Sequence, residues 1–373
     1  MSPPSAHRPP PTVLRHLYVH IPFCTHICPY CAFHKEKNLL PAMKAFLPAL
    51  KKEIAWAAGN FDLQPATAFF GGGTPSSLSL SQLDELFTAW PWRGIPEFTF
   101  EANPMTFSME KATRLRQWGV NRISLGVQSF DNGLLQLLGR THRRDDIPRT
   151  MDLLRDAGFT NINLDLMFSL PGQTSAQWED SLRQAIALNP EHISTYNLTY
   201  EEDTDFLRKH ESGEFTSSET TDRDHFSLAM DLLEAAGYGQ YEISNFAKPG
   251  FESRHNHAIW EGRDYLGLGP SAVSTVDTLR WKNIPDTLRY ASSVDETGRS
   301  EHENEPLDDR IRHGERILLA LRIREGLPAA WLSDKTDEVQ RLLDEGLMER
   351  KGDRLTLTRK GKLVADSVTE ILI

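Results

Sequence analysis

The chain has 373 residues, of which 39% are hydrophobic and 25% are charged, and this predicts an ordinary globular protein of roughly two domains. A formal net charge of −11 argues against a broad role in binding the DNA or RNA backbone. No apolar run approaches the length of a membrane span, and the N-terminus lacks the apolar run of a secretion signal. Reduced thiols without such a signal predict a cytoplasmic protein.

Short apolar runs alternate with amphipathic helical patterns from residue 15 to about residue 200. The proline-rich residues 1–14 before them are expected to be a disordered lead-in. Helices are predicted between Ala42 and Ala58 and after two capping-box spacings, Ser79–Gln82 and Thr174–Gln177. The predicted strands are 15–20, 67–70, 98–101, 122–125, 161–166 and 192–196. This alternation predicts parallel strands joined by right-handed crossovers, and six units predict an open, partial (β/α)6 barrel of α/β class.

The second half of the chain has a different composition. Residues 201–224 contain nine acidic residues and three Lys or Arg, which is typical of a solvated surface segment. The core and its extension are expected to span 15–290, followed by an acidic linker at 291–310. Residues 311–373 then show two helical patterns and a hairpin, which predict a small winged-helix-like domain. Residues 349–362 hold six Lys or Arg and two acidic residues, so nucleic-acid contact is an alternative there, but a packing role fits the acidic chain better.

All three cysteines of the chain, Cys24, Cys28 and Cys31, lie within eight residues. Thiolates at such spacing bind iron–sulfur clusters or zinc. Three ligands leave one iron of a four-iron cluster open for an exchangeable molecule. Two alternatives remain: zinc with a nearby histidine as fourth ligand, or buried structural thiols.

Polar residues recur where the predicted strands end, and barrels of this kind gather their chemistry at that rim. These positions are Cys24, the turn Gly71–Thr74, Glu101, Gln128, Asp165 and Thr199. The glycines either satisfy turn dihedrals only or let the backbone approach a ligand. A lone carboxylate is more often structural, so the set as a whole indicates a ligand site. His255 and His257 near Trp260 are metal or heme ligand candidates, against the alternative that they bind loop backbone.

Six motifs in order resemble the oxygen-independent coproporphyrinogen III oxidase-like family of radical S-adenosylmethionine proteins, and within it the HemW subgroup. They are Tyr18–Cys24, Gly71–Pro75, Gly126–Phe130, Leu170–Thr174, Tyr241–Ala247 and Gly267–Pro270. The resemblance implies that Cys24, Cys28 and Cys31 hold a [4Fe–4S] cluster. It also implies an S-adenosylmethionine pocket, whose residues would be Tyr18, Tyr30, Gly72, Gly73, Thr74, Glu101, Gln128, Arg140, Asp165, Thr199 and Val273.

The same resemblance implies that the protein is a heme chaperone, with heme and heme-accepting proteins as partners. Phe33 stands where the decarboxylating enzymes of the family carry a further cysteine, and only 23 residues precede Cys24. Both departures point away from coproporphyrinogen oxidation, so no such enzymatic activity is expected. Radical chemistry on a porphyrin substrate is the alternative. The histidine-bearing segment is the expected heme site, with His255 or His257 as iron ligand, although Ile259 replaces the tyrosine of the HNxxYW motif.

Overall fold

The computed structural model describes residues 12–373. Its strands are β1 (Val13–Ile21), β2 (Phe23–Cys24), β3 (Glu36–Lys37), β4 (Asp62–Gly72), β5 (Glu97–Ala102), β6 (Arg122–Gln128), β7 (Ile162–Phe168), β8 (His192–Asn197), β9 (Gly239–Glu242), β10 (Asn245–Ala247), β11 (Leu266–Leu268), β12 (Val273–Val276), β13 (Leu279–Asn283), β14 (His302–Pro306), β15 (Leu327–Pro328), β16 (Met348–Lys351) and β17 (Arg354–Leu357).

Its α-helices are α1 (Leu40–Asn60), α2 (Leu80–Phe87), α3 (Met109–Trp118), α4 (Asn132–Leu137), α5 (Asp146–Asp156), α6 (Ser175–Ala187), α7 (Asp205–Glu211), α8 (Glu219–Ala235), α9 (Arg254–Trp260), α10 (Thr287–Thr297), α11 (Asp309–Arg322), α12 (Thr336–Asp344), α13 (Arg359–Lys362) and α14 (Ala365–Leu372). Short 3-10 helices lie at Pro75–Ser77 and Ala329–Leu332. Among residues 12–373, no helix is both long enough and apolar enough to cross a membrane.

The main sheet has nine strands in the order β11-β1-β4-β5-β6-β7-β8-β10-β9. Strands β1, β4, β5, β6, β7 and β8 follow chain order and pair in parallel, which confirms the predicted six-unit partial barrel. Strand β11 adds to one edge in parallel, and β10 adds to the other edge antiparallel to β8. The later part of the chain therefore covers both edges, which would otherwise present unpaired backbone groups.

Apolar faces of the helices pack on this sheet to form the core. Strands β5 and β6 are almost completely buried, as expected for parallel strands covered on both faces. Both predicted capping boxes are confirmed, at Ser79–Gln82 of α2 and at Thr174–Gln177 of α6. Reciprocal caps satisfy backbone N–H groups at the helix start, and so the helices begin where the sequence predicts.

Two predicted segments differ from the structure. Residues 1–11 of the expected lead-in lie outside the described residues, and strand β1 already begins at Val13. The expected linker 291–310 contains the end of α10, strand β14 and the start of α11. Strand β14 pairs with β13 as the edge of a three-stranded sheet. Its side chains are mostly exposed, so the strand shows no apolar alternation and resembles a linker in sequence.

Residues beyond the three-stranded sheet form a small unit with its own apolar core, including Leu321, Leu342 and Leu355. Helices α11 and α12 and the hairpin β16–β17 are present as predicted, while the relation to a winged helix stays a prediction. Its basic residues contact protein atoms: Arg359 Nη2 lies 2.5 Å from an Asp231 oxygen and Arg354 Nε donates to Glu325 O at 2.7 Å. These contacts engage part of the basic group at 349–362 that suggested nucleic-acid binding as an alternative.

Candidate functional site

A cavity of about 430 Å³ opens at the carboxyl ends of the parallel strands. The structure brings twelve of the predicted site residues to its wall: Cys24, Cys28, Tyr30, Cys31, Gly72, Gly73, Thr74, Glu101, Gln128, Arg140, Asp165 and Thr199. These side chains come from segments up to 175 positions apart, which only strand order brings together. Tyr18, Val273, His255 and His257 do not line this cavity.

The cysteine loop leaves strand β2 and returns as β3, which pairs with β2 through Phe23 opposite Glu36. This pairing closes the loop at its base and directs it across the cavity mouth. Within the loop, the backbone N–H of Cys31 donates to the carbonyl of Cys28 at 3.2 Å. Burial raises the pKa of the Cys24 and Cys31 thiols, so without a metal both are held as neutral thiols.

Two polar side chains approach the thiols from the barrel. Thr74 Oγ1 lies 3.6 Å from Cys24 Sγ, and Arg140 Nη1 lies 3.7 Å from Cys28 Sγ. The same guanidinium donates to Gly126 O at 2.6 Å and to Asn103 Oδ1, and these contacts fix its position. The guanidinium therefore places a positive charge and an N–H donor next to the Cys28 sulfur.

The glycine turn has a steric requirement at each position. A Cβ on Gly73 would lie 2.7 Å from the Pro22 carbonyl carbon, and a Cβ on Gly72 would lie 2.5 Å from the His20 ring. Gly72 also has a φ of 108°, which favours glycine. The glycines therefore let the backbone of this turn lie against His20 and Pro22, in the segment that leads to the cysteine loop. The turn still exposes Gly72 and Gly73 at the cavity wall, so both predicted roles are compatible.

Glu101 and Asp165 place two carboxyl groups in the wall. The Gly72 N–H donates to Glu101 Oε2 at 3.1 Å, while Ser124 Oγ donates to Asp165 Oδ2 at 3.0 Å. Burial, followed by the nearby Asp165, raises the pKa of Glu101 to about 8. Burial also raises the pKa of Asp165. Two carboxyl groups that lose water in this way are complementary to a bound cation or to hydroxyl and ammonium donors.

Tyr18 and Val273 lie behind the cavity instead of in it. The Tyr18 ring packs against Phe69, whose ring does line the cavity, with a centroid distance of 6.1 Å, and its hydroxyl lies 3.0 Å from His20 Nδ1. Val273 is in strand β12, paired with Lys282 of β13. Tyr18 therefore supports the wall through Phe69, and neither residue lines the cavity.

The two predicted heme ligands are not presented to the cavity. His255 is 2% exposed, and its Nδ1 lies 2.8 Å from Thr67 Oγ1. Burial lowers the pKa of His255 to about 3, so the ring is neutral. His257 lies two positions along α9 and its Nε2 is 3.7 Å from Glu261 Oε1. A two-residue offset on a helix directs the rings to different faces, so the structure does not bring the pair together.

Sequence reasoning missed a polar network in the cavity wall. Asn163 Nδ2 donates to Asp165 Oδ1 at 2.7 Å, and the single Ser194 O–H has two acceptors within reach, Asn163 Oδ1 at 3.1 Å and Asn245 Oδ1 at 3.0 Å. Asn245 in turn donates to Glu242 Oε2 at 2.6 Å. Asn163 precedes Asp165 by two positions on β7, so strand alternation alone would have placed both on one face.

This network explains the Tyr241–Ala247 motif. The Glu242 side chain is completely buried, and its Oε1 lies 2.6 Å from Arg322 Nη2 at the end of α11. The motif therefore joins the strand ends at the cavity to the C-terminal unit.

Comparison with known proteins agrees with this architecture. A model of the Radical SAM superfamily matches residues 18–185, which contain the cysteine loop and the first strands of the barrel. The solved structure titled coproporphyrinogen III oxidase (HemN) from Escherichia coli superposes with a TM-score of 0.84 at 24% identity, covering 98% of this chain and 91% of that chain. Fold and superfamily match together define a radical SAM protein.

Similarity over the whole chain identifies the family. The heme chaperone HemW of Bacillus subtilis (strain 168) is 35% identical, over 95% of this chain and 98% of that protein. The heme chaperone HemW of Escherichia coli (strain K12) is 34% identical, over 96% of this chain and 97% of that protein. The chain belongs to the HemW heme chaperone family.

Proposed function

We propose that this protein is a heme chaperone that binds a [4Fe–4S] cluster and S-adenosylmethionine and passes heme to acceptor proteins. The observation that carries the cofactor part is the position of all three cysteines on one loop at the wall of the strand-end cavity. Its heme part rests on family membership, because relatives of matching length carry the name heme chaperone.

The donor set fits a cluster better than a single zinc ion. Among residues 12–373, no group of three or more His, Cys, Asp or Glu side chains is placed to hold one metal ion. The three thiols nevertheless line one cavity, which offers room for a centre larger than a single ion. A four-iron cluster is a bulky centre, three of whose irons would each take one of these thiolates while the fourth stays open.

The opposite wall suits S-adenosylmethionine. When bound at the open iron, this cofactor supplies a positively charged sulfonium together with an amino acid and a nucleoside. Glu101 and Asp165 offer carboxyl oxygens to its cationic or hydroxyl groups. Arg140 is held at the Cys28 end of the cavity by Asn103 and Gly126, so it balances negative charge gathered near the thiolates. Tyr30 packs on Phe206 with ring centroids 6.0 Å apart and supplies an aromatic wall.

Two measurements test the proposal. Anaerobic reconstitution followed by heme titration should give a labile-sulfide signal and a heme Soret band in the same protein. Heme-loaded protein mixed with an apo heme protein should then transfer its heme, seen as the acceptor's own Soret spectrum. Catalytic formation of protoporphyrinogen from coproporphyrinogen, with reductant and S-adenosylmethionine, would instead establish the oxidoreductase alternative.

A further inference from the structure

The position of heme on this fold is open, because neither histidine of α9 lines the cavity. His255 is 2% exposed and its Nδ1 already contacts Thr67, which also lies 2.9 Å from His16 Nδ1. Two backbone N–H groups at the start of α9 donate to the Glu97 carboxylate at 2.9 Å, which anchors the helix end on strand β5. Exposing His255 to a heme edge would require breaking these buried contacts.

One histidine does reach the cavity. His26 lies between Cys24 and Cys28, is exposed, and is the sole histidine of residues 12–373 in the cavity wall. No described residue forms a hydrogen bond or ion pair with its ring, although it passes close to Gly139, where a Cβ would meet Nε2 at 3.3 Å. An exposed imidazole next to a cavity is a competent iron ligand.

An apolar surface flanks this histidine. Phe33 lines the cavity while 73% of it is exposed, and Ile27 and Ala32 lie on the same loop and also line the cavity. A phenylalanine so exposed at the edge of an open site costs hydration free energy and is typical of a surface that a ligand covers. Single exposed apolar side chains are common, but here exposed Phe33 and Ala32 and half-buried Ile27 lie on one loop in one cavity wall.

A cation completes the set. Lys35 lines the cavity two residues beyond Phe33, and its ammonium donates to the Cys31 carbonyl. No described carboxylate lies within ion-pair distance of Lys35, so its charge is not neutralised by the protein. The loop therefore combines an imidazole, an apolar face and a cation within ten residues, from His26 to Lys35.

We propose that the segment His26–Lys35 is the heme-binding rim of this protein. This rests on the proposed function, since it assumes that heme is the cargo. Heme is a planar apolar ring with two propionates, and the rim offers each of its parts a partner: Phe33 and Ile27 for the ring face, Lys35 for a propionate, and His26 for the iron. Heme would lie across the mouth of the cavity, above the cysteine loop.

Heme titration under anaerobic conditions tests the rim, with the reconstituted wild type and with His26→Ala, Phe33→Ser, Phe33→Leu and Lys35→Gln. Matched controls are His313→Ala and Leu288→Ser, because both side chains are exposed and lie outside the cavity wall. We expect Phe33→Ser to weaken heme binding about tenfold or more, Phe33→Leu to keep most of the affinity, and His26→Ala to shift the Soret band. The controls should match the wild type.

The outcomes separate this inference from the function it rests on. If the wild type binds no heme, the proposed function fails. If the wild type binds heme and all four rim variants keep its affinity and spectrum, the rim is wrong while the chaperone function stands. Labile sulfide is measured for each variant. If Phe33→Ser loses the cluster, the heme affinity of Phe33→Leu is compared with that of Leu288→Ser instead. If Phe33→Leu then binds heme as weakly as wild type without a cluster, the proposed rim is overturned.

Discussion

A buried glutamate in helix α1 connects three separate parts of the fold. Glu53 is 3% exposed, and its carboxylate accepts hydrogen bonds from Gly269 N at 2.7 Å, Asn283 Nδ2 at 2.8 Å and Tyr290 Oη at 2.7 Å. The turn at Gly269 packs closely against the strand that leads to the cysteine loop, since a Cβ on Gly269 would lie 2.4 Å from His20 O. Glu53 therefore supports the site from behind.

We expect Glu53→Ala to destabilise the protein by about 3–5 kcal/mol. The substitution leaves three buried donors without an acceptor, and each orphaned buried donor costs about 1–3 kcal/mol, reduced where water enters the space that is left. The matched control is Lys52→Ala on the same helix. Its ion pair with Asp295, at 2.6 Å, joins side chains that are 54% and 59% exposed, so its loss should cost less than about 1 kcal/mol.

Urea unfolding followed by tryptophan fluorescence and by far-UV circular dichroism measures both losses. Agreement of the two probes would justify two-state values for the free energy of unfolding. If Glu53→Ala lost no more stability than Lys52→Ala, the three hydrogen bonds would not carry the role that we assign to them.

Three further predictions concern the cavity and its connection to the C-terminal unit. Because the pKa of Glu101 is raised from 4.5 to about 8, the native state retains a proton there that the unfolded chain releases. The free energy of unfolding of the cofactor-free protein should therefore fall as pH rises from about 5 to about 8. Glu101→Gln should flatten that pH profile when it is measured by urea titration. Gly73→Ala should lower iron and sulfide content after reconstitution, because its Cβ would meet Pro22 at 2.7 Å; normal loading would refute the steric argument. Arg322→Met should leave Glu242 buried without its cation and cost about 2 kcal/mol, and limited proteolysis should then release the C-terminal unit faster than in the wild type.

Much of the fold could be predicted from local patterns. Strands β5, β6 and β8 were predicted within three residues at each end, because short runs rich in β-branched and aromatic residues between helical patterns are typical of strands. Helix starts at α2 and α6 followed from capping boxes, which depend only on residues three positions apart. Polar residues at strand ends could be grouped because parallel strands end at one rim.

Long-range partners account for what could not be predicted. The burial of His255 depends on Thr67, which is 188 residues away, and on Glu97, which is 158 residues away, so its spacing from Trp260 could not show that the ring is buried. Strand β14 was missed for a related reason. Its pairing with β13 supplies backbone hydrogen bonds while leaving its side chains in solvent. The polar composition of the segment indicates only that exposure and not the strand.

The central claim is that the cysteine loop holds an iron–sulfur cluster in a cavity that also binds S-adenosylmethionine. Iron and labile-sulfide analysis of the anaerobically reconstituted protein, with and without Cys28→Ser, tests it most directly. We predict about four iron and four sulfide per wild-type chain, a substoichiometric or absent cluster in Cys28→Ser, and a change in the cluster's electron paramagnetic resonance spectrum on adding S-adenosylmethionine. One zinc per chain without labile sulfide would contradict the account.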